Sequence, residues 1–136
     1  MIVDTSAVMA VIEEEQGHEE VAGLLAAGGG RISAATLVEL TAVVQRYGRP
    51  EVHRMVDRLL AAWQVEIAPF DAAQARIAQQ AYRDFGRGSG HRAALNLGDC
   101  FSYALATAQN EELLFVGEDF AATDIPAALG PERRLA

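Results

Sequence analysis

The chain has 136 residues, 51% hydrophobic and 22% charged, with a formal net charge of -8 at pH 7. That is the length and balance of one folded domain, and its single cysteine excludes both an internal disulfide and a thiolate metal cage. All eleven basic residues are arginine, which excludes P-loop, Schiff-base and other lysine-dependent chemistry, and the acidic balance argues against a protein that wraps nucleic acid.

Residues 1–4 are a short apolar run ending in an acid, which predicts a buried strand. Thr5 and Ser6 then cap a helix to about Glu15. A second helix spans 18–27 and stops at Gly28-Gly29-Gly30. A brief strand is expected over 31–34. From Ala35 the apolar residues Leu37, Leu40, Val44 and Tyr47 recur at spacings of three and four, a helix ending at Gly48. Pro50 opens the next helix, with Val52, Met55, Val56, Leu59, Leu60 and Trp63 as its inner face. Residues 65–70 alternate like a strand, and Asp71 caps a helix to about Phe85. A glycine-rich loop covers 86–90. A helix over 98–110, a buried strand over 113–116, a loop over 117–124 and a weakly specified tail from Gly130 complete the chain. The longest run without a charge, 100–110, is far below the ~18–20 apolar residues of a membrane span. With no export signal at residue 1, the cytoplasm is the expected compartment.

Strands separated by helices predict a parallel sheet covered on both faces, whose ligands sit beyond the carboxyl ends of the strands. Asp4 ends the first strand and Asp119 lies just past the last. Glu39 sits in Leu37-Val38-Glu39-Leu40, on a helix that otherwise buries itself. Asp99 opens the most apolar helix. Each alone has an ordinary explanation as a cap, a dipole partner, a rim residue or a turn. Together they converge on one sheet edge. Two carboxylates ~4 Å apart repel by about 4 kcal/mol at an effective dielectric of 20, so four need a counter-ion. Mg²⁺ or Mn²⁺ suits an all-carboxylate site and would support in-line hydrolysis of a phosphodiester. The cation would also recruit the polyanion that an acidic chain repels.

Met1-Ile2-Val3-Asp4-Thr5-Ser6-Ala7, Thr36-Leu37-Val38-Glu39-Leu40, Leu95-Asn96-Leu97-Gly98-Asp99-Cys100-Phe101 and Leu114-Phe115-Val116-Gly117-Glu118-Asp119-Phe120 resemble the PIN-domain ribonucleases. The stretch from Tyr82 through His91 and Ala94 to Cys100, and Thr123-Asp124-Ile125, are similar to the VapC toxin branch. The likeness runs from residue 1 to about 125. It implies a doubly wound, three-layer α/β/α sandwich with a central parallel sheet, the whole of 1–136 forming one PIN domain. It implies an acidic quartet of Asp4, Glu39, Asp99 and Asp119 that binds Mg²⁺ or Mn²⁺ and cleaves RNA, with Asp4 and Asp99 as the most direct ligands. Ser6 is similar to the family's small hydroxyl beside the metal. Asp124 matches a further acid near the pocket in some members, and Glu118 stands where members often carry Asn. The resemblance also implies a homodimer silenced by a cognate antitoxin of the VapB type. A PIN-like module that acts only through its antitoxin complex, and a metal-dependent phosphatase or DNA nuclease, are the alternatives.

Around this site, Arg83, Arg87 and Arg92 form the densest basic cluster, suited to bidentate phosphate contact. Ser6, Arg87 and Arg92 are the candidate substrate contacts. His91 reads as a partly exposed structural histidine, and Cys100 as a packing residue.

Overall fold

The computed structural model describes residues 1–129; the tail from Gly130 lies outside them. Four short strands, β1 (Ile2–Val3), β2 (Arg31–Ser33), β3 (Glu66–Ala68) and β4 (Leu113–Leu114), pair in parallel in the order β3-β2-β1-β4. Six helices connect them: α1 (Thr5–Ile12), α2 (His18–Ala26), α3 (Ala34–Gln45), α4 (Pro50–Ala62), α5 (Ala72–Phe85) and α6 (Leu97–Gln109). A 3-10 turn, Phe120–Ala122, follows β4. Among the described residues no helix is long and apolar enough to cross a membrane.

The layers follow from the two-residue period of a strand, which sends neighbouring side chains to opposite faces. Ile2 and Leu113 pack with Ala78, Ala81, Cys100 and Ala104 of α5 and α6. Their neighbours Val3 and Leu114 pack with Val8, Val21, Leu40, Val44, Val52 and Val56 of α1 to α4. This gives the three-layer α/β/α sandwich, with a core on each side of the sheet. From β1 the chain winds outward through β2 to β3, then crosses back to place β4 on the other side of β1. The order therefore reverses between β1 and β4, and the crevice beyond their carboxyl ends is the switch point at which such sheets bind ligands.

Several helix boundaries are fixed by capping. Asp71 accepts from the Gln74 amide at 2.9 Å, Ser33 from the Ala35 amide at 3.2 Å, and Pro50 stands in the first turn of α4. Other boundaries differ from the sequence expectation. α1 stops at Ile12, not Glu15, because Glu14 takes a left-handed φ of 51°. α6 begins at Leu97, one residue earlier than expected, because Asn96 and Asp99 form a reciprocal capping box. α3 ends at Gln45, short of the expected Gly48, and Tyr47 beyond it is 42% exposed; Met55, expected on the inner face of α4, is 40% exposed. α3 does not bury itself around Glu39 either, since Val38 is 71% exposed.

Candidate active site

The local structure that caps the helices also builds the site. Asp4 leaves β1 at the central strand and is the N-cap of α1, its Oδ2 accepting from the Ser6 amide at 2.9 Å and the Ser6 hydroxyl at 2.7 Å. Its Oδ1 accepts from Ser102 Oγ of α6 at 2.6 Å. Ser102 lies 3.2 Å from Thr36 Oγ1, and both are fully buried. A hydroxyl has one proton, so with Ser102 donating to Asp4 the relay runs from Thr36 through Ser102 to the carboxylate. Burial pushes the Asp4 carboxyl above the usual range, and the hydroxyls oppose that push.

Glu39 reaches across from α3. Thr5 Oγ1 donates to its Oε1, and its carboxyl is raised by burial and by the neighbouring Asp4. Its carboxylate lies over Gly98 at the start of α6. A Cβ at residue 98 would stand 2.6 Å from Glu39 Cδ, so only glycine leaves the space. Asp99 closes the capping box with Oδ2 on the Asn96 amide at 3.0 Å, which leaves Oδ1 outside the cap. Its carboxyl is pushed up to about 7, by burial first, then by Asp4, Asp119 and Glu39. Three other carboxylates thus act on Asp99 through space, although no three of the acids are close enough to form a cluster. Asp119 is exposed, at the entry to the 3-10 turn, with no side-chain cap bond.

The candidate substrate contacts separate. The Ser6 hydroxyl is engaged in both senses, donating to Asp4 and accepting from the Val116 amide at 3.0 Å. It ties the start of α1 to the exit of β4 and sets the width of the crevice between them. Arg92 lines a cleft of about 290 Å³ with Glu118, Ala121 and Ala122. Arg87 is exposed on the adjoining loop and is not part of that lining. His91 packs its ring edge-on against Phe85 at 4.9 Å, and its Nδ1 accepts from the Ala93 amide, the structural role expected of it. Cys100 is fully buried and its thiol is pushed up to about 12 by burial, then by Asp99, so it is a packing residue.

Sequence reasoning missed Thr5, Thr36, Ser102 and Gly98. Ser102 had a signal: a hydroxyl three residues after Asp99, inside the apolar run Cys100-Phe101-Ser102-Tyr103-Ala104. The other three had none, because each matters through a partner distant in sequence.

Among the described residues no three His, Cys, Asp or Glu side chains are gathered into a ready-made metal cage. The donors at the switch point are all carboxylate oxygens. That set fits a small hard cation held by one or two carboxylates and otherwise by water, as Mg²⁺ and Mn²⁺ are.

The PIN domain family model matches residues 1–126. Ribonuclease VapC42 of Mycobacterium tuberculosis is 53% identical over 129 residues, covering 94% of this chain and 98% of the relative. A ribonuclease VapC of Mycolicibacterium smegmatis is 43% identical, covering 93% and 98%. Among solved structures, the sarcin-ricin loop cleaving toxin VapC20 of Mycobacterium tuberculosis superposes with a TM-score of 0.70 at 16% identity, over 95% of this chain and 98% of that one. A toxin-antitoxin complex from Klebsiella pneumoniae gives 0.63 at 18% identity, over 90% and 92%.

Proposed function

The chain belongs to the PIN domain family, among its VapC ribonucleases, and from that premise we propose that it is the toxin of a toxin–antitoxin pair, a Mg²⁺- or Mn²⁺-dependent endoribonuclease. Its substrate is cellular RNA, which places its work in the cytoplasm. Its partners are a cognate VapB-type antitoxin and a second copy of itself. One observation carries the reading: Asp4 and Asp99, both buried, cap the adjoining helices α1 and α6 beyond the strand ends at the switch point, where burial and then the charge of Asp4 push the Asp99 carboxyl up.

Asp4 and Asp99 would hold the cation, with Glu39 and Asp119 acting through water or on a second ion. When bound, the cation supplies charge neutralisation at the phosphate and a water of lowered pKa for in-line attack. The protein's part is placement. Ser6 and Ser102 fix both oxygens of Asp4, Thr5 fixes Glu39, and the Asn96 amide fixes one oxygen of Asp99. The ligands are thus oriented before anything binds, which lowers the reorganisation needed in the transition state. Arg92, on the wall of the adjoining cleft, is suited to a bidentate phosphate contact.

Titration calorimetry with Mn²⁺ tests this reading. Binding requires ionised carboxylates, and Asp99 holds its proton up to about 7. The affinity is therefore expected to be about tenfold weaker at pH 6 than at pH 8. Absence of binding at millimolar Mn²⁺ to the folded protein at pH 8 would overturn the metal-dependent reading.

A further inference from the structure

Tyr103 lies on α6 one turn beyond Asp99, and its hydroxyl donates to Asp124 Oδ1 at 2.7 Å. Asp124 follows the 3-10 turn that begins after Asp119. One hydrogen bond therefore ties the segment bearing Asp119 to the helix bearing Asp99. Resting on the nuclease reading above, we propose that Tyr103 and Asp124 are positioning residues, a pin that sets where the Asp119 carboxylate stands relative to Asp99. Asp124 is an acceptor in this pin and not a ligand of the cation.

The surrounding contacts show why a pin is needed there. Asp119 is exposed and has no side-chain cap bond, so its carboxylate goes where the backbone takes it. The bonds from the Ala121 amide to Glu118 O, at 3.2 Å, and from Thr123 Oγ1 to Phe120 O, at 2.7 Å, are internal to the turn. They shape it without fixing it to the site. Phe120 anchors its near end, buried against Phe115 with ring centroids 5.2 Å apart. Beyond its far end the backbone is tied to β4, Pro126 O accepting from the Leu113 amide and the Ala128 amide donating to Leu113 O, both at 2.9 Å. The Asp124 side chain adds the link to α6, on a tyrosine that is only 8% exposed. A hydroxyl bonded to a carboxylate is among the stronger neutral-to-charged pairs. Tyr103 is itself braced by Phe85 at 5.8 Å, and Phe85 carries His91. The wall that bears Arg92 and the segment that bears Asp119 thus lean on the same side chain.

The pin needs a donor at residue 103 and any acceptor at 124, whereas a cation ligand needs a carboxylate. Four proteins separate the two: wild type, Tyr103→Phe, Asp124→Ala and Asp124→Asn. Amide hydrogen exchange at Ala121 and Thr123 is read without metal, and kcat and KM are read on a mixed-sequence single-stranded RNA with Mn²⁺. Tyr103→Phe and Asp124→Ala are expected to exchange about tenfold faster at both amides and to lose about tenfold in kcat with KM within about twofold. Asp124→Asn keeps an acceptor oxygen and is expected to match wild type in both. Wild-type exchange in Tyr103→Phe overturns the pin. Asp124→Asn losing as much kcat as Asp124→Ala, with exchange unchanged, makes Asp124 a ligand and also overturns it. If the wild type cleaves no RNA, the nuclease reading fails while the exchange measurement still decides the pin.

Discussion

Asp99→Asn is expected to cut metal-dependent RNA cleavage by about 10²–10³-fold and, in the absence of metal at pH 8, to make the protein more stable. The two effects have one cause. Losing a charged group that acts on the reacting centre typically removes about 3–4 kcal/mol of transition-state stabilisation. The same charge is a burden on the empty fold. The Asp99 carboxyl is pushed up to about 7 by burial and by Asp4, Asp119 and Glu39, whereas in the unfolded chain it keeps its ordinary value of 3.8. Between those two pH values the unfolded chain binds fewer protons than the native one, so native stability falls as pH rises through this window. Above about 7 the fold has lost this contribution.

An asparagine carries no charge to desolvate, and its Oδ1 still accepts the Asn96 amide that Asp99 Oδ2 accepts now, so the capping box loses only its ionic half. The variant is expected to melt about 5–10 °C higher than wild type at pH 8, a difference that shrinks towards pH 4. Saturating Mn²⁺ is expected to raise the wild-type midpoint and to leave the variant's almost unmoved, because on this reading only the wild type would gain binding free energy. Differential scanning calorimetry from pH 4 to 8 with and without Mn²⁺ checks all three statements. A variant that melts below wild type at pH 8, or that cleaves RNA at the wild-type rate, would remove Asp99 from the centre of the site.

This pairing of roles explains what the sequence made legible and what it concealed. Asp4 and Asp99 each have an ordinary local use as an N-cap and a capping-box partner, and the structure shows both uses. The cap and the site are therefore not alternatives. The helix terminus that needs a carboxylate stands at the switch point, and on the proposed reading one side chain would serve both. The order of the strands was not read, but the parallel sheet with helices on both faces, and the acids beyond the strand ends, were legible because strand-helix alternation constrains such a sheet tightly. The outward turn of Tyr47, Met55 and Val38 was not, because a three-to-four spacing marks an apolar stripe without saying how wide a face the neighbouring helix covers. Partners far apart in the chain were hidden for a simpler reason. Ser102 meets Asp4 across 98 residues, and Thr5 meets Glu39 across 34, so no local pattern holds the pair.

Gly98→Ala tests one of those hidden contacts, and its expected outcome separates the site from the fold. Gly98 lies in the first turn of α6, where alanine is the better helix former by up to about 1 kcal/mol. The added Cβ would meet Glu39 at Cδ, Cγ and Oε1, at 2.6, 2.7 and 3.0 Å. Those atoms are the far end of a flexible side chain, so the protein relieves the clash by swinging the carboxylate off α6, not by moving backbone. The swing breaks the bond from Thr5 and takes one acid out of the quartet. A misplacement of about an ångström at a reacting centre costs about 10²-fold. Gly98→Ala is accordingly expected to lose about 10–100-fold in cleavage rate while its thermal midpoint stays level or rises. Gly23→Ala is the control, since a Cβ there meets nothing within 4 Å and should raise the midpoint with cleavage unchanged. Wild-type cleavage in Gly98→Ala would mean that Glu39 does its work from elsewhere than over α6. A large drop in midpoint would mean that the carboxylate is held too firmly to move, and that the backbone of α6 yields in its place.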